Sequence, residues 1–163
     1  MKKAFFLLVF TVSMIILNAQ LIPKTKCNDI YVDVLDGKIN GVRPDYTMGL
    51  IKDKLPCFTN SEPEGSTSKC GGTVFYQDKG IFFYTERDYV EIKSNFKGRL
   101  SIPLLGAKRN SLFKWLGHPQ LKDNTWDAFQ TAYGILVLHY NKAGNVSLIQ
   151  LATESAATLK LCN

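Results

Sequence analysis

Four cysteines place the strongest constraint on how this chain folds. Cys27, Cys57, Cys70 and Cys162 all follow an apolar N-terminal segment. An even number of cysteines in an exported chain is typical of disulfide bonds. Three pairings are open, and the spacing favours Cys57–Cys70, which closes one loop, together with Cys27–Cys162, which joins the two ends of the domain. The spacing matches neither a zinc site nor a redox C-x-x-C pair.

The N-terminal segment has the three parts of a secretory signal peptide. Lys2 and Lys3 supply the positive start, residues 4–17 are almost wholly apolar, and Ala19 offers a small residue for cleavage. A membrane anchor is the alternative, but this apolar run falls short of the ~20 residues that a bilayer core needs. We therefore expect residues 1–19 to be removed, leaving a single periplasmic or secreted domain over residues 20–163 that is not inserted in a membrane.

The charge of the chain argues against nucleic acid as a partner. The net charge is +6 over the full sequence, and two of the basic residues lie in the predicted signal peptide. The others are scattered, and their densest spots, Lys108-Arg109 and Lys52 with Lys54, are typical of a solvated surface. We expect no nucleic-acid partner.

The first part of the domain is predicted to hold a hairpin, a helix and a polar loop. Asp36-Gly37 is a strong type I′ turn signal between two β-forming runs. A short helix is expected over residues 44–55, ended by Pro56, and a loop over residues 60–72. Strands are predicted over residues 30–35, 38–40, 73–76, 80–85, 89–93 and, as an edge strand, 102–105.

The second part follows a similar plan. Asn110 is expected to cap a helix that ends at Gly117, with Pro119 preventing its continuation. Residues 154–161 form either a helix or a last strand. Further strands are predicted over residues 126–129, 134–140 and 146–151.

The two parts together suggest an internal repeat. The closest match sets residues 75–84 against residues 129–138, with the same spacing from a Phe to a Gly in each. Duplication is the favoured interpretation, and chance similarity of two generic units is the alternative. The predicted fold is α+β: an antiparallel sheet with short helices packed on one face, built as two tandem α-β-β units in one domain, at about 39–96 and about 102–152.

The second unit resembles a pattern found in β-lactamase inhibitor proteins and in the small lipoprotein of the outer-membrane β-barrel assembly machinery. That pattern is a Gly, a short helix, Leu-Gly-x-Pro, an aromatic residue and a strand meander. Over about residues 39–152 the resemblance implies a non-catalytic, extracytoplasmic protein-binding fold, since two such units in tandem build the inhibitor proteins. The first unit departs from it because Leu55-Pro56 lacks the Gly, and no site residue is carried over. The matching positions are Gly106, residues 110–116, Leu116-Gly117-His118-Pro119, Trp126 and residues 134–151.

The sequence offers little for catalysis. Its two histidines, His118 and His139, lie in a Gly-His-Pro turn and near the end of a predicted strand, and neither H-E-x-x-H nor G-x-S-x-G occurs. A cysteine–histidine nucleophile pair would need a free thiol, which disulfide formation removes. We expect no enzyme, no metal site and no cofactor. A small extracytoplasmic hydrolase using His139 or His118 is an alternative.

The central strands are predicted to be apolar on both faces. In the strand over 89–93, Val90 and Ile92 are expected to face the core, and Glu91 and Lys93 the solvent. The neighbouring strands carry apolar residues on both faces, with only two helices to cover them. The second face is either a further core layer under the loops and tail or an aromatic surface for a partner. The candidate partner-binding residues are Ile81, Phe83, Tyr133, Ile135, Val137 and His139.

These features predict a non-enzymatic periplasmic or secreted module that binds another protein. An inhibitor or immunity protein that blocks a partner enzyme or toxin is the favoured form of this hypothesis. A scaffold for cell-envelope assembly is an alternative, although no cysteine lies at the predicted cleavage point to carry a lipid anchor.

Overall fold

The fold is described from a computed structural model, over residues 27–65, 70–155, 157–158 and 162. The predicted signal peptide lies outside these residues, as does part of the tail over 154–161. The described residues form two sheets and two short helices, which confirms the predicted α+β class. The elements are β1 (Tyr31–Asp33), β2 (Lys38–Ile39), α1 (Met48–Lys54), β3 (Asn60–Glu62), β4 (Thr73–Tyr76), β5 (Ile81–Tyr84), β6 (Tyr89–Lys93), β7 (Arg99–Leu100), α2 (Phe113–Leu116), β8 (Leu121–Lys122), β9 (Trp126–Gln130), β10 (Ile135–Tyr140) and β11 (Val146–Ala152).

Two four-stranded meanders make up one antiparallel sheet. Strands β3 to β6 form the first and β8 to β11 the second. The meanders join through their last strands, so the order is β3-β4-β5-β6-β11-β10-β9-β8. Each unit therefore contributes four strands to the sheet rather than the two of an α-β-β unit. The sequence predicts three of the four in each unit, and it misses β3 and β8 because they are too short to show a period-2 pattern.

One face of this sheet carries the main core. Both helices and a small sheet of order β2-β1-β7 contribute side chains to it. Thr47 caps α1, its Oγ1 accepting a hydrogen bond from the N–H of Leu50 at 3.4 Å. Ile51 and Leu55 are buried, and the Tyr76 hydroxyl donates to the Leu55 carbonyl at 2.5 Å. These contacts place the helices on one face of the sheet, as predicted.

The type I′ turn lies at Asn40-Gly41 and not at Asp36-Gly37, so that prediction is wrong. Ile39 and Val42 exchange backbone hydrogen bonds of 2.8 and 2.9 Å, and Asn40 and Gly41 have φ of +48° and +80°. A two-residue I′ turn needs a positive φ at both central positions. Asp36-Gly37 lies in the longer connection between β1 and β2.

The predicted disulfide pairing is also wrong, although all four cysteines are bonded. The bonds are Cys27–Cys57 and Cys70–Cys162, with Cα–Cα distances of 5.9 and 5.4 Å. Cys57 and Cys70 lie beyond opposite ends of the β3–β4 ladder, so the favoured short loop would have to span the length of the strands. Two disulfide bonds fit an oxidising, extracytoplasmic location. In the described part of the chain, no helix has the length and apolar character needed to cross a membrane.

Two further elements differ from prediction. Asn110 does not cap a helix but lies in a 3₁₀ turn, Arg109–Ser111, in which the N–H groups of Ser111 and Leu112 bond to the carbonyls three residues earlier at 2.9 and 3.2 Å. The edge strand over 102–105 does not form, because the N–H of Leu104 bonds to the carbonyl of Ile102 at 2.8 Å and the chain turns there. Instead β7, just before it, pairs in parallel with β1.

Candidate functional site: the open face of the sheet

The candidate site is the face of the eight-stranded sheet opposite the main core, which we call the open face. Along β5, Phe82 lies on it between Ile81 and Phe83 of the main core. A small buried cluster on this face consists of strand residues and Cys162, and neither described helix contributes to it. The residues of the open face include Phe75, Phe82, Tyr84, Tyr89, Glu91, Lys93, Trp126, Ala128, Ile135, Val137, His139, Leu148, Gln150 and Ala152.

Aromatic rings line the first half of the open face. Phe75 and Phe82 meet edge to face with ring centroids 5.4 Å apart, and Nζ of Lys93 lies 3.9 Å from the Phe82 centroid. Tyr84 stacks on Tyr89 at 4.6 Å. Phe75, Phe82 and Tyr84 are half-buried, so part of each ring faces solvent.

The second half carries a mixed apolar row. Leu148, His139 and Trp126 lie opposite one another on β11, β10 and β9, and all three are half-buried. At the sheet edge, Leu121 of β8 is 42% exposed. Apolar surface therefore continues across both meanders.

A chain of hydrogen bonds crosses the centre of the open face. The Gln150 amide donates from Nε2 to Oε1 of Glu91 at 3.1 Å, and Tyr84 donates to Oε2 of Glu91 at 3.3 Å. Oε1 of Gln150 lies 2.7 Å from Nε2 of His139. Because this amide oxygen accepts, Nε2 of His139 carries the proton in this arrangement. This row of hydrogen-bonded side chains joins four adjacent strands and contains one carboxylate.

The two stacked tyrosines act as neutral hydrogen-bonding groups. Burial raises the pKa of Tyr84, and the charge of Glu91 raises it further. Burial also raises the pKa of Tyr89 to about 12, although the N–H of Cys162, which donates to the Tyr89 oxygen at 2.9 Å, acts in the opposite direction. Both phenols therefore keep their protons at physiological pH.

The predicted partner-binding residues do not form one surface. Ile81 and Phe83 are fully buried in the main core. Ile135 and Val137 belong to the open face but are 0% and 3% exposed. Of the strand residues named from the sequence, only His139 both lies on the open face and keeps solvent-exposed area.

An alignment of the two units that is wrong by one residue explains why the predicted partner-binding residues lie on both faces of the sheet. The match of residues 75–84 with 129–138 aligns Phe75 with Phe129 and Phe83 with Val137. Phe75 and Val137 lie on the open face, whereas Phe129 and Phe83 lie in the main core. A shift of one residue exchanges the two faces of a strand. The alignment therefore paired residues that face opposite ways.

Tyr133, the sixth predicted residue, connects the two sheets. Its hydroxyl donates to the Val34 carbonyl at 3.2 Å, and its ring packs on Gly37 where a Cβ would otherwise lie. Gly37 also has φ +61°, a value that disfavours other residues. We therefore assign Tyr133 a structural role, that of holding the two sheets together.

Sequence reasoning missed the residues that give the open face its character. Glu91 was expected in solvent but is 7% exposed, because the cross-strand neighbours Phe82 and Gln150 flank it. Phe82 and Tyr84 alternate with the buried Ile81 and Phe83 along β5, and this alternation was the available signal. The neighbourhood of Glu91 and Gln150 depends on the β6–β11 pairing, which no local pattern reveals.

The two histidines contact an amide and an aromatic ring in the described part of the chain. His139 bonds to an amide, and the four cysteines are oxidised, so the described residues show no cysteine–histidine pair. The ring of His118 meets that of Phe113 at 4.5 Å. No group of three His, Cys, Asp or Glu residues in the described ranges is arranged to hold a metal ion.

Comparisons of the chain with protein-family models, with curated proteins and with solved structures give no match. The resemblance to β-lactamase inhibitor proteins therefore stays a prediction.

Proposed function

We propose that this protein is a non-enzymatic, extracytoplasmic binding module of the inhibitor or immunity type, and that its open face docks on a partner protein. The observation that carries the proposal is the half-buried Phe75, Phe82, Trp126 and Leu148 on a sheet face without a described helix over it. The solvent face of an antiparallel sheet is ordinarily polar. Several partly exposed apolar side chains side by side on such a face are typical of a protein-interaction surface.

The composition of the open face suits protein recognition. Aromatic residues are enriched among the anchors that supply most binding energy. Around them, side-chain hydrogen bonds run from Tyr84 through Glu91 and Gln150 to His139 and hold these polar side chains in place. Side chains that are already ordered lose less conformational entropy on binding. A partner would meet a surface that is largely preformed.

The proposal includes export by the N-terminal signal peptide to the periplasm or beyond. Both disulfides support this, because bonds of this kind persist in oxidising compartments. Cys70–Cys162 also holds Cys162 against Tyr89 at one border of the open face.

We further propose that the two meanders arose by duplication. From either edge of the sheet to its centre, the four strands of a meander follow one another in chain order. A half-turn about an axis between Glu91 and Gln150 exchanges these two residues and brings Tyr84 onto His139. Tyr84 and His139, at the two ends of the hydrogen-bonded row, therefore occupy equivalent positions in the two meanders. This equivalence supports an alignment of the two units that is shifted by one residue from the sequence match.

Affinity capture tests the binding function. The tagged mature protein is incubated with cell-envelope and culture extracts, beside the variants Phe82→Ser and Leu148→Ser and the control Leu50→Ser. Leu50 is 38% exposed on α1, away from the open face. We expect a specific protein to be recovered by the wild type and by the Leu50 variant, with recovery reduced at least tenfold for the two open-face variants.

Circular dichroism and urea unfolding check that all variants are folded. Equal recovery by every folded variant would show that the open face is not the docking surface. Recovery of no protein by the wild type would count against a protein partner.

A further inference from the structure

A cleft lies on the main-core side of the sheet, between α2 and the strands β8 and β9. It is a cleft of about 220 Å³, and its lining includes Arg109, Asn110, Phe113, His118 and Lys122. Its apolar floor is formed by Leu112 and Phe129 of the main core.

Arg109 is held rigidly at this cleft. Its Nε donates to Oδ2 of Asp127 at 2.9 Å, and a second donor, Nη2, bonds to Oδ1 of the same carboxylate. Its other donors reach the carbonyls of Asn124 and Asp123 at 3.2 and 2.6 Å. The guanidinium also lies over the Tyr140 ring, 4.7 Å from its centroid. This arrangement leaves one N–H of Nη1 without a bond to the described residues.

The carboxylate in the cleft is already fully engaged. Asp127 is 3% exposed and accepts from the Tyr140 hydroxyl at 2.7 Å as well as from Arg109. Lys122 is exposed and forms no ion pair with the described residues. The segment 107–122 contains four Lys or Arg residues and no Asp or Glu. Of the charged residues that line the cleft, Arg109 and Asp127 form an ion pair, which leaves Lys122 as the unpaired positive charge of the lining.

Its walls add apolar contact area. Phe113 is 58% exposed, and its ring meets the exposed His118 edge to face at 4.5 Å. A ligand that enters would meet positive charge from Lys122 and apolar surface from Phe113 and the floor. That combination fits a carboxylate next to an apolar group.

We propose that this cleft binds a short acidic peptide segment of a protein, with a carboxylate side chain at Lys122 and a neighbouring apolar side chain against Phe113. Charge complementarity selects the segment, and the fixed Arg109 guanidinium offers its remaining N–H to the same carboxylate. The site is separate from the open face, so it stands or falls independently of the function proposed above.

Titration with two matched peptides tests the proposal. The ¹⁵N-labelled protein is titrated with acetyl-Glu-Glu-Phe-amide and with acetyl-Gln-Gln-Phe-amide, and amide shifts are followed by NMR. We expect saturable shifts confined to residues 109–129 with the acidic peptide, and binding of the neutral peptide that is at least tenfold weaker. Lys122→Gln should weaken binding of the acidic peptide about two- to fivefold, the range for an exposed ion pair.

Lys97→Gln is the matched control, because Lys97 is an exposed lysine in the other half of the molecule. Equal binding of the two peptides would overturn the proposal. So would shifts centred outside the cleft, or a loss of affinity in the Lys97 variant as large as that in the Lys122 variant.

Discussion

Asp88 adopts a backbone conformation that few residues favour and carries a charge that its surroundings oppose. Its φ is +49°, in the left-handed region, where asparagine is among the best tolerated residues. Partial burial raises the pKa of its carboxyl, and the charges of Asp45 and Glu154 raise it further. Ionisation of Asp88 is therefore less favourable in the folded protein than in the unfolded chain.

Asp88→Asn is accordingly predicted to stabilise the protein at neutral pH. Because the folded pKa is raised, the folded state binds more protons than the unfolded chain from about pH 4, and wild-type stability falls as pH rises through the folded pKa. The variant lacks this loss, so it should be more stable at pH 7 by roughly 0.2–1 kcal/mol, with no advantage below about pH 4. Urea unfolding at pH 3.5, 5 and 7 measures the difference.

Asp123→Asn provides the control of opposite sign. Oδ1 of Asp123 accepts hydrogen bonds from the N–H and hydroxyl of Thr125, each at 3.0 Å, and these bonds lower the pKa of its carboxyl. Stability from this group is present above its unfolded pKa and is lost as pH falls. The Asp123 variant should be destabilised at pH 7. An Asp88 variant that behaved in the same way would contradict the account of its charge.

Contacts between residues distant in the sequence set the limit of prediction at this scale. Gly37 was read correctly as a turn residue, but its contact with the ring of Tyr133 joins positions far apart in the chain. Tyr133 was taken as a surface anchor because tyrosine is common at interfaces. Residue type alone does not distinguish a tyrosine that binds a partner from one that fastens two sheets.

At the scale of the strand, adjacent phenylalanines on β5 separate the two faces of the sheet. Phe83 is fully buried in the main core, whereas Phe82 is half-buried on the open face. Phe83→Ala should lower the free energy of unfolding by about 3–5 kcal/mol through lost burial and a cavity. Phe82→Ala should cost about 1 kcal/mol, because part of its surface is already in contact with water and its loss leaves no enclosed cavity. Urea unfolding with the disulfides intact gives both values, and equal costs would refute the assigned faces.

Strands of four residues or more were predictable, whereas three of the five shorter ones were not. The bounds of β4 and β6 match the sequence prediction, because alternation and β-forming residues agree there. The short strands β3, β7 and β8 were missed, since two or three residues are too few to show a period and their conformation is fixed by the neighbouring strands. The residues of the open face were predicted least accurately, because which residues share this face depends on the register between strands, and a single strand does not reveal that register.

At the scale of the molecule, two units could be foreseen but their junction could not. Joining β6 to β11 places Glu91 beside Gln150 and creates one surface from two meanders. The same topology determines which cysteines meet. Loop length favoured Cys57–Cys70, yet the β3–β4 ladder separates this pair and leaves each cysteine to bond a terminal segment.

The observed pairing makes the two disulfides unequal in their effect on stability. Cys27–Cys57 closes a sequence separation of 30 residues and Cys70–Cys162 one of 92. If each bond acts mainly on the entropy of the unfolded chain, Cys27→Ser/Cys57→Ser should cost about 4 kcal/mol and Cys70→Ser/Cys162→Ser about 5 kcal/mol. Since a domain is stable by only about 5–15 kcal/mol, the second variant should be the closer to unfolding at 37 °C. Thermal and urea unfolding of the two variants measure the order. A larger loss on removing Cys27–Cys57 would mean that native contacts around that bond, rather than the length of the loop, dominate its contribution.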